Sequence, residues 1–301
     1  MAFSMLLTFM MGNLSCNKKT KSPELQYSDS LTTRKTHVYT FTMLPLNSPA
    51  TLVKIYQPLV DYLNQRLKGG QMTFETSIDY PNFEQKFKER KPEFILPNPW
   101  QTLEAMKSGY TVIAMAGEPS DFTGVFVIRK DSKIREPKDL IGKTVSYPSP
   151  TALAACIMPQ YYLYQHGIDV NKDMQNYYVG TQEASVMNVY AKTTSAGAIY
   201  PPSWRVFKKE NPLVAAQLKV IWETEPLINQ SIMVRDDVPV SIREQVRKYL
   251  LELDKTAEGK KILDGIETAR FLPGTDKDYD LVKIFIDHFE KKVRKIETKQ
   301  I

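Results

Sequence analysis

The chain is poor in the residues that build metal, redox and nucleophilic sites. Its 301 residues include two cysteines and three histidines, and His37, His166 and His288 fall in different predicted elements. It contains no HExxH, CxxC or GxSxG motif and no phosphate-cradling glycine loop. We therefore expect no metal, no cofactor and no enzymatic activity.

Long apolar runs and charge of one sign are also missing. No apolar stretch reaches the roughly 18 residues of a membrane span. The net charge is +6, but lysine and arginine alternate with acidic residues, so no nucleic-acid partner is expected. A basic balance favours an anionic ligand or an anionic membrane surface. With 42% apolar and 25% charged residues, the composition is typical of a globular protein long enough for about two domains.

The first sixteen residues are similar to a bacterial lipoprotein signal. Phe3 to Met11 form a short apolar run, and Leu14-Ser15-Cys16 has the form of a lipobox end. No basic residue precedes the run, and Asn13 stands where leucine is usual. We predict a signal over residues 1–16, lipidation of Cys16 and a flexible polar tether over residues 17–35. A disordered N-terminal extension is the alternative.

Strand patterns alternate with amphipathic helices along the rest of the chain. Residues 38–43, 73–78 and 93–96 have strand character with helices between them, which is typical of a parallel sheet. The strand from Val125 to Ile128 then predicts a crossing from one lobe into another, and a return crossing is predicted at residues 227–235.

The crossing carries a family resemblance. The order strand, Asp131-Ser-Lys-Ile134 turn, Asp139-Leu-Ile-Gly-Lys143 and strand resembles type II periplasmic solute-binding proteins. Within them it most resembles the PhnD-like components of ABC transporters, which bind phosphate, phosphite or phosphonate. Further markers in matching order are Pro58-Leu-Val-Asp-Tyr-Leu63, Pro99, Pro159 and Ala196-Gly-Ala198.

The resemblance implies an α/β, two-lobed fold of the type II periplasmic-binding-protein class. Each lobe would be a mainly parallel sheet flanked by helices, with two crossing strands at the hinge. We expect residues 36–125 and 232–301 to form lobe 1, and residues 126–231 to form an inserted lobe 2. We also expect an extracytoplasmic monomer that is anchored to the cell membrane through lipid on Cys16, in the periplasm or on the outer face. It would capture a small anionic ligand for an ABC permease.

Ligands of open α/β sheets bind at the carboxyl ends of strands, in sites that are mostly apolar with a few polar anchors. The residues predicted on such loops are Leu46, Asn98, Trp100, Phe122, Thr123, Tyr147, Ser149, Thr151, Ala152, Gln182, Tyr200 and Trp204.

Three positions depart from the family pattern. Similar proteins hold phosphonate oxygens with a Ser-Thr-Ser-Gly loop at a helix start, and this chain has Ala152-Leu-Ala-Ala155 there, with Ser149 and Thr151 close by. The family's histidine is Gln182, and its aspartate is Ser195. These changes leave open a less charged organic solute, a sensor subunit of the same fold, and a biosynthetic enzyme built on it.

Overall fold

The computed structural model describes residues 37–297, so the predicted signal, tether and Cys16 lie outside the described residues. None of the helices within that range has the length and apolarity needed to cross a bilayer. The strands are β1 (Val38–Met43), β2 (Gln71–Glu75), β3 (Phe94–Leu96), β4 (Tyr110–Ala116), β5 (Val125–Arg129), β6 (Thr144–Tyr147), β7 (Gln175–Tyr178), β8 (Ala196–Ile199), β9 (Leu218–Glu223), β10 (Ser231–Arg235) and β11 (Phe271–Leu272). The α-helices are α1 (Pro49–Asn64), α2 (Tyr80–Lys88), α3 (Pro99–Met106), α4 (Met158–Gln165), α5 (Gln182–Tyr190), α6 (Pro201–Glu210), α7 (Pro212–Ala215), α8 (Val240–Leu251), α9 (Ala257–Gly265) and α10 (Asp280–Lys292).

The described strands form two sheets, and we use lobe 1 and lobe 2 for each sheet with its helices. Lobe 1 has the order β11-β4-β10-β3-β1-β2, and lobe 2 has the order β7-β6-β8-β5-β9. In lobe 1, β1 pairs in parallel with β2 and β3, whereas β10 is antiparallel to β3 and β4. In lobe 2, β6 pairs in parallel with β7 and β8, whereas β5 is antiparallel to β8 and β9.

Most strands of each sheet therefore run in one direction, as predicted for mainly parallel sheets, but neighbouring strands pair in both parallel and antiparallel fashion. Strands β1 to β4 share one direction in lobe 1, and β6 to β9 share one direction in lobe 2. The pairing is mixed because β5 and β10, which enter their lobes from the crossings, insert antiparallel between the others. As a result, the carboxyl ends of β1, β3, β6 and β8 all lie on the side from which the crossings enter.

The two crossings run side by side. The N–H of Leu227 donates to the carbonyl of Phe122 at 2.9 Å, and the N–H of Thr224 donates to the carbonyl of Gly124 at 2.9 Å. In return, the N–H of Gly124 donates to the Thr224 hydroxyl at 2.9 Å. The inter-lobe connection is thus a short hydrogen-bonded ribbon, which is the arrangement expected of a hinge.

The helix that follows β6 begins with a widened turn. Residues Leu153–Ile157 are π-helical, and α4 continues from them. Pro159 has no N–H to donate to the carbonyl four residues earlier, and its ring would clash with that carbonyl, so the wider turn relieves both problems. The sequence pattern predicts a helix over residues 151–166, and Pro159 is the reason why its first turn is widened.

The C-terminal segment reaches both lobes. In α10, Phe285 packs edge-on against Tyr161 of α4, with the ring centroids 5.3 Å apart. Beyond that helix, the Arg294 guanidinium donates to the side-chain oxygen of Gln160 at 2.7 Å and to the carbonyl of Pro150 at 2.9 Å. The loop after β6 is therefore supported from behind by the end of the chain.

The hinge requires glycine at position 124. A Cβ there would collide with the carbonyl oxygen of Ala154 and lie 3.0 Å from Cγ of Pro159. We expect Gly124→Ala to lower the free energy of unfolding by about 1–3 kcal/mol, as overpacking does. Gly265→Ala is the matched control, because a Cβ at the end of α9 meets nothing within 4 Å. Urea unfolding of both variants measures the effect, and equal stability of the two would contradict the close approach.

Candidate functional site

Asn98 organises the lobe 1 side of the cleft. It caps α3, where its side-chain oxygen accepts from the N–H of Gln101 at 3.0 Å while the Gln101 side-chain oxygen accepts from the N–H of Asn98 at 3.1 Å. This reciprocal capping box fixes the orientation of both amides. The Asn98 amide then donates to the carbonyl of Thr151, in lobe 2, at 3.1 Å.

Ser149 and Thr151 form the lobe 2 side, on the loop between β6 and the π-helical turn. Both side chains are buried, and their hydroxyl oxygens lie 2.9 Å apart. The loop leads directly into the widened turn and α4, and the N–H of Thr151 donates to the Ser149 hydroxyl at 3.3 Å. Hydroxyls beside a helix start are the groups that bind oxyanions in many proteins.

A buried carboxylate, Glu84 of α2, completes this contact between the lobes. Its side-chain oxygen Oε1 accepts from the Thr151 hydroxyl at 2.6 Å and from the Gln101 amide at 3.1 Å. The other oxygen, Oε2, has no hydrogen-bond partner among the residues that the structure describes. Burial raises the pKa of Glu84.

Glu84 was missed by the sequence reasoning, although a signal was present. Tyr80, Phe83 and Phe87 follow the i, i+3, i+7 spacing of a buried helix face, and Glu84 lies on that same face. A carboxylate among the apolar positions of an amphipathic helix is a candidate for a buried functional group.

A second contact between the lobes is centred on Gln182, the first residue of α5. Its amide nitrogen donates to the Tyr80 hydroxyl of lobe 1 at 3.3 Å, and its side-chain oxygen accepts from the N–H of Tyr200 at 2.7 Å. The Tyr200 hydroxyl in turn donates to the side-chain oxygen of Asn229, in the return crossing, at 3.1 Å. Tyr80 and Asn229 were not predicted. Tyr80 is the first residue of α2, after the loop that follows β2, so strand-end reasoning could have found it, whereas Asn229 lies in the return crossing.

The structure brings some of the predicted residues together and separates others. Asn98, Ser149 and Thr151 form one group, with Ala152 buried at the start of the π-helical turn, and Gln182 and Tyr200 form the second. Phe122 joins the second group, since its ring centroid lies 5.3 Å from that of Tyr200.

Four predicted residues lie in other surroundings. The Thr123 hydroxyl donates to Glu223, at the end of β9, at 2.5 Å. Trp204 stacks on Phe207 within an apolar cluster between the lobe 2 sheet and α6. Leu46 and Trp100 are both buried in the main apolar core.

Tyr147, at the end of β6, is fully buried and belongs to a different polar group. Its hydroxyl has no hydrogen-bond partner within residues 37–297. The Arg294 guanidinium lies in the same region, 3.4 Å from Sγ of Cys156. Cys156 is buried, and burial raises the pKa of its thiol to about 11, so it is protonated at neutral pH.

Two large cavities lie elsewhere on the molecule. One, of about 500 Å³, is lined by charged side chains that include Arg129, Asp139 and Lys192, at the far end of lobe 2. Another, of about 540 Å³, lies between α1 and α9 and includes Lys54 and Glu258. Neither is lined by a predicted ligand-binding residue.

Comparison with known proteins gives a family match for most of the chain. The family model described as "ABC transporter, phosphonate, periplasmic substrate-binding protein" matches residues 41–279. The phosphonates-binding periplasmic protein of Escherichia coli (strain K12) is 22% identical over 168 residues, which are 54% of this chain and 49% of that protein. The chain therefore spans about half the length of the curated relative it matches.

Two solved structures share the fold. A binding protein component of an ABC phosphonate transporter from Pseudomonas aeruginosa has a TM-score of 0.79 and 19% identity, covering 85% of this chain and 88% of that one. PhnD1 from Prochlorococcus marinus (MIT 9301), in complex with methylphosphonate, has a TM-score of 0.76 and 21% identity, covering 84% and 98%.

The likenesses confirm the two-lobed periplasmic-binding-protein fold. The family is periplasmic, which implies an extracytoplasmic location. Because the family match covers most of the chain, this protein belongs to the periplasmic substrate-binding proteins of phosphonate ABC transporters.

Proposed function

We propose that this protein binds a small phosphonate-type oxyanion between its lobes and delivers it to an ABC permease. The observation that carries the proposal is the buried hydroxyl pair, Ser149 and Thr151, at the start of a helical run and in direct contact with lobe 1. Family membership supports the same ligand class, since the family is described by phosphonate transport. Ser149 and Thr151 would stand in place of the family's Ser-Thr-Ser-Gly loop, and on ligand binding their hydroxyl protons would turn from Thr151 and Glu84 to the oxyanion.

Closure of the lobes would couple ligand capture to delivery. Ion pairs at the rim support this, because they join side chains of different lobes. Glu267, which follows α9, pairs with Arg205 at 2.6 Å and with Lys209, both on α6. Lys54 of α1 pairs with Glu210 at the end of α6 at 2.9 Å. These contacts form only when the two lobes are together.

The remaining parts of the proposal concern location and assembly. We propose that Cys16 carries lipid, that the protein acts as a monomer, and that it is not an enzyme. We also propose the lobe boundaries of the sequence analysis, residues 36–125 with 232–301 and residues 126–231. A sensor subunit or a biosynthetic enzyme of the same fold would be indicated instead if neighbouring genes encoded a membrane kinase or a biosynthetic pathway rather than a permease and an ATPase.

Removing the Thr151 hydroxyl tests the binding site. Thr151→Val keeps the shape but loses a donor, and a hydrogen bond to a charged group contributes about 1.5–3 kcal/mol. We expect the affinity for methylphosphonate to fall at least tenfold in isothermal titration calorimetry. Thr193→Val, at an exposed turn of lobe 2, is the control and should bind like the native protein. Unchanged affinity in Thr151→Val would remove this loop from the site.

The rim ion pairs generate a prediction about closure. Burial acts to raise the pKa of Glu267, but the hydrogen bonds from Lys209 and Arg205 outweigh it and lower the pKa. The rim contacts are therefore present at neutral pH and are lost as the pH falls through that lowered pKa. Glu267→Gln should weaken methylphosphonate binding by a fewfold at neutral pH, because partly exposed pairs contribute about 0.2–1 kcal/mol.

The control for the rim is Glu258→Gln, which breaks a pair with Arg66 inside lobe 1. It should leave the affinity unchanged. Small-angle scattering of the ligand-free proteins provides a second measurement, in which Glu267→Gln should be more open than Glu258→Gln. Identical scattering and affinity in the two variants would show that the rim does not favour closure.

Labelling with a clickable fatty acid tests the lipid anchor. In bacterial cells that process lipoproteins, the native protein and Cys156→Ala should incorporate the label and sediment with membranes. Cys16→Ser should do neither, because the thioether that carries the lipid cannot form. Labelling of Cys16→Ser to the native extent would exclude Cys16 as the anchor.

A further inference from the structure

Glu84 is an unusual residue to find at the contact between two lobes. Its side chain is 2% exposed, and within the described range no lysine or arginine lies within ion-pair distance of it. A buried ionised carboxylate without a cation is costly, and it is tolerated only when its oxygens receive hydrogen bonds. The state of each oxygen of Glu84 therefore decides what the site can bind.

Oxygen Oε1 is an acceptor whose donors are defined. The capping box holds the side-chain oxygen of Gln101 on the N–H of Asn98, so the amide nitrogen of Gln101 must be the group that faces Glu84. The Thr151 hydroxyl is the second donor, because its single proton points to Oε1 at 2.6 Å. With two donors in place, Oε1 does not carry a proton.

Oxygen Oε2, in contrast to Oε1, has no defined hydrogen-bond donor among the described residues. It is buried, and no described residue donates to it or accepts from it. Either it accepts a hydrogen bond from a group outside the described side chains, or it carries a proton and donates to such a group. Both cases place one proton between Oε2 and its neighbour.

The charged and hydrogen-bonding groups around Glu84 are consistent with one proton between Oε2 and its neighbour. Burial is the largest influence and raises the pKa of Glu84. The hydrogen bonds from Thr151 and Gln101 and the charge of Lys88 lower this pKa, and the charge of Glu104 raises it. Together these influences leave the pKa raised. Tyr80, one turn earlier in α2, keeps its own proton because burial raises its pKa. Of these two side chains, the carboxyl group of Glu84 is therefore the one that exchanges a proton.

The loop that carries Ser149 and Thr151, which we propose binds the oxyanion, is directly hydrogen-bonded to Glu84. The Thr151 hydroxyl donates to Glu84, so the hydroxyl contact between Ser149 and Thr151 must run with Ser149 as the donor. An oxyanion bound at this loop would consequently meet the carboxyl group at close range. Two ionised groups in so buried a place would repel each other strongly.

We propose that Glu84 and the bound oxyanion hold one proton between them, which makes Glu84 a specificity-determining residue. The site then selects oxyanions that keep a proton near neutral pH, such as the monoanions of phosphonate, phosphite or phosphate. It discriminates against sulfonates, which are fully ionised and bring no proton. This inference rests on the proposed function, because it concerns the ligand of the same site.

Calorimetry of the native protein provides the first test. Methylphosphonate and methanesulfonate are titrated at neutral pH in two buffers that differ in their heat of ionisation, which reveals proton uptake. We expect methylphosphonate to bind at least tenfold more tightly, and any methanesulfonate binding to take up about one proton. Equal affinities without proton uptake would overturn the role of Glu84 while leaving phosphonate binding intact.

The variant Glu84→Gln provides the second test. The amide keeps the oxygen that accepts from Thr151 and places an N–H at the position of Oε2, so no proton is needed. We expect the preference for methylphosphonate over methanesulfonate to shrink at least tenfold and the proton uptake to disappear. Glu89→Gln, which breaks a surface ion pair with Lys91 just beyond α2, is the control and should keep the native preference.

The outcomes separate this inference from the proposed function. An unchanged preference in Glu84→Gln overturns the inference alone. Absence of methylphosphonate binding by the native protein overturns the proposed function, and the inference with it. If Glu84→Gln does not fold, the proton uptake of the native protein still decides the question.

Discussion

The buried hydrogen bond between Thr151 and Glu84 is the interaction on which the arrangement of the cleft depends. It joins a loop of lobe 2 to a helix of lobe 1, and the partners of both residues are held by the capping box at the start of α3. Asn98 holds the carbonyl of Thr151, and Gln101 holds the carboxylate of Glu84. Each polar group is oriented by another from a different element, because a buried group without a partner is costly. The cleft is therefore one hydrogen-bonded unit rather than a set of independent contacts.

Much of the fold could be predicted from the sequence because its determinants are local. The limits of β1 were predicted correctly, since the strand alternates and a proline-containing loop ends it. Strand β2 begins two residues earlier than predicted, at Gln71, where it pairs with Val38 of β1. The insertion of β10 between β3 and β4 was also beyond prediction, since about 115 residues separate β10 from β4 in sequence. Which strands pair depends on partners that are distant in sequence. The alternation of apolar residues and the positions of turn residues, in contrast, are local features of the sequence.

The residues of the candidate site likewise divide into those that local sequence patterns located and those that depend on distant contacts. Asn98, Thr151, Gln182 and Tyr200 lie on loops or at helix starts that follow strands, and such positions can be located from the strand patterns in the sequence. Glu84 lies in a helix, on the same face as Tyr80, Phe83 and Phe87, and its contact with Thr151 depends on how lobe 2 packs against that helix. Trp204 and Thr123 have equally suggestive positions in sequence, yet their side chains contact lobe 2 residues. Whether they also touch a ligand stays a prediction.

The position of Arg294 has a consequence for how this molecule moves. Two covalent crossings alone would allow the lobes to twist as well as to swing apart. Arg294 adds a third, non-covalent attachment on lobe 2, at Gln160 and Pro150, while α10 packs on α3 of lobe 1. A third attachment reduces the rotational freedom that two crossings leave. Separation of the lobes is thus restricted either to a narrow swing with the tail in place or to a wider one in which the tail detaches first.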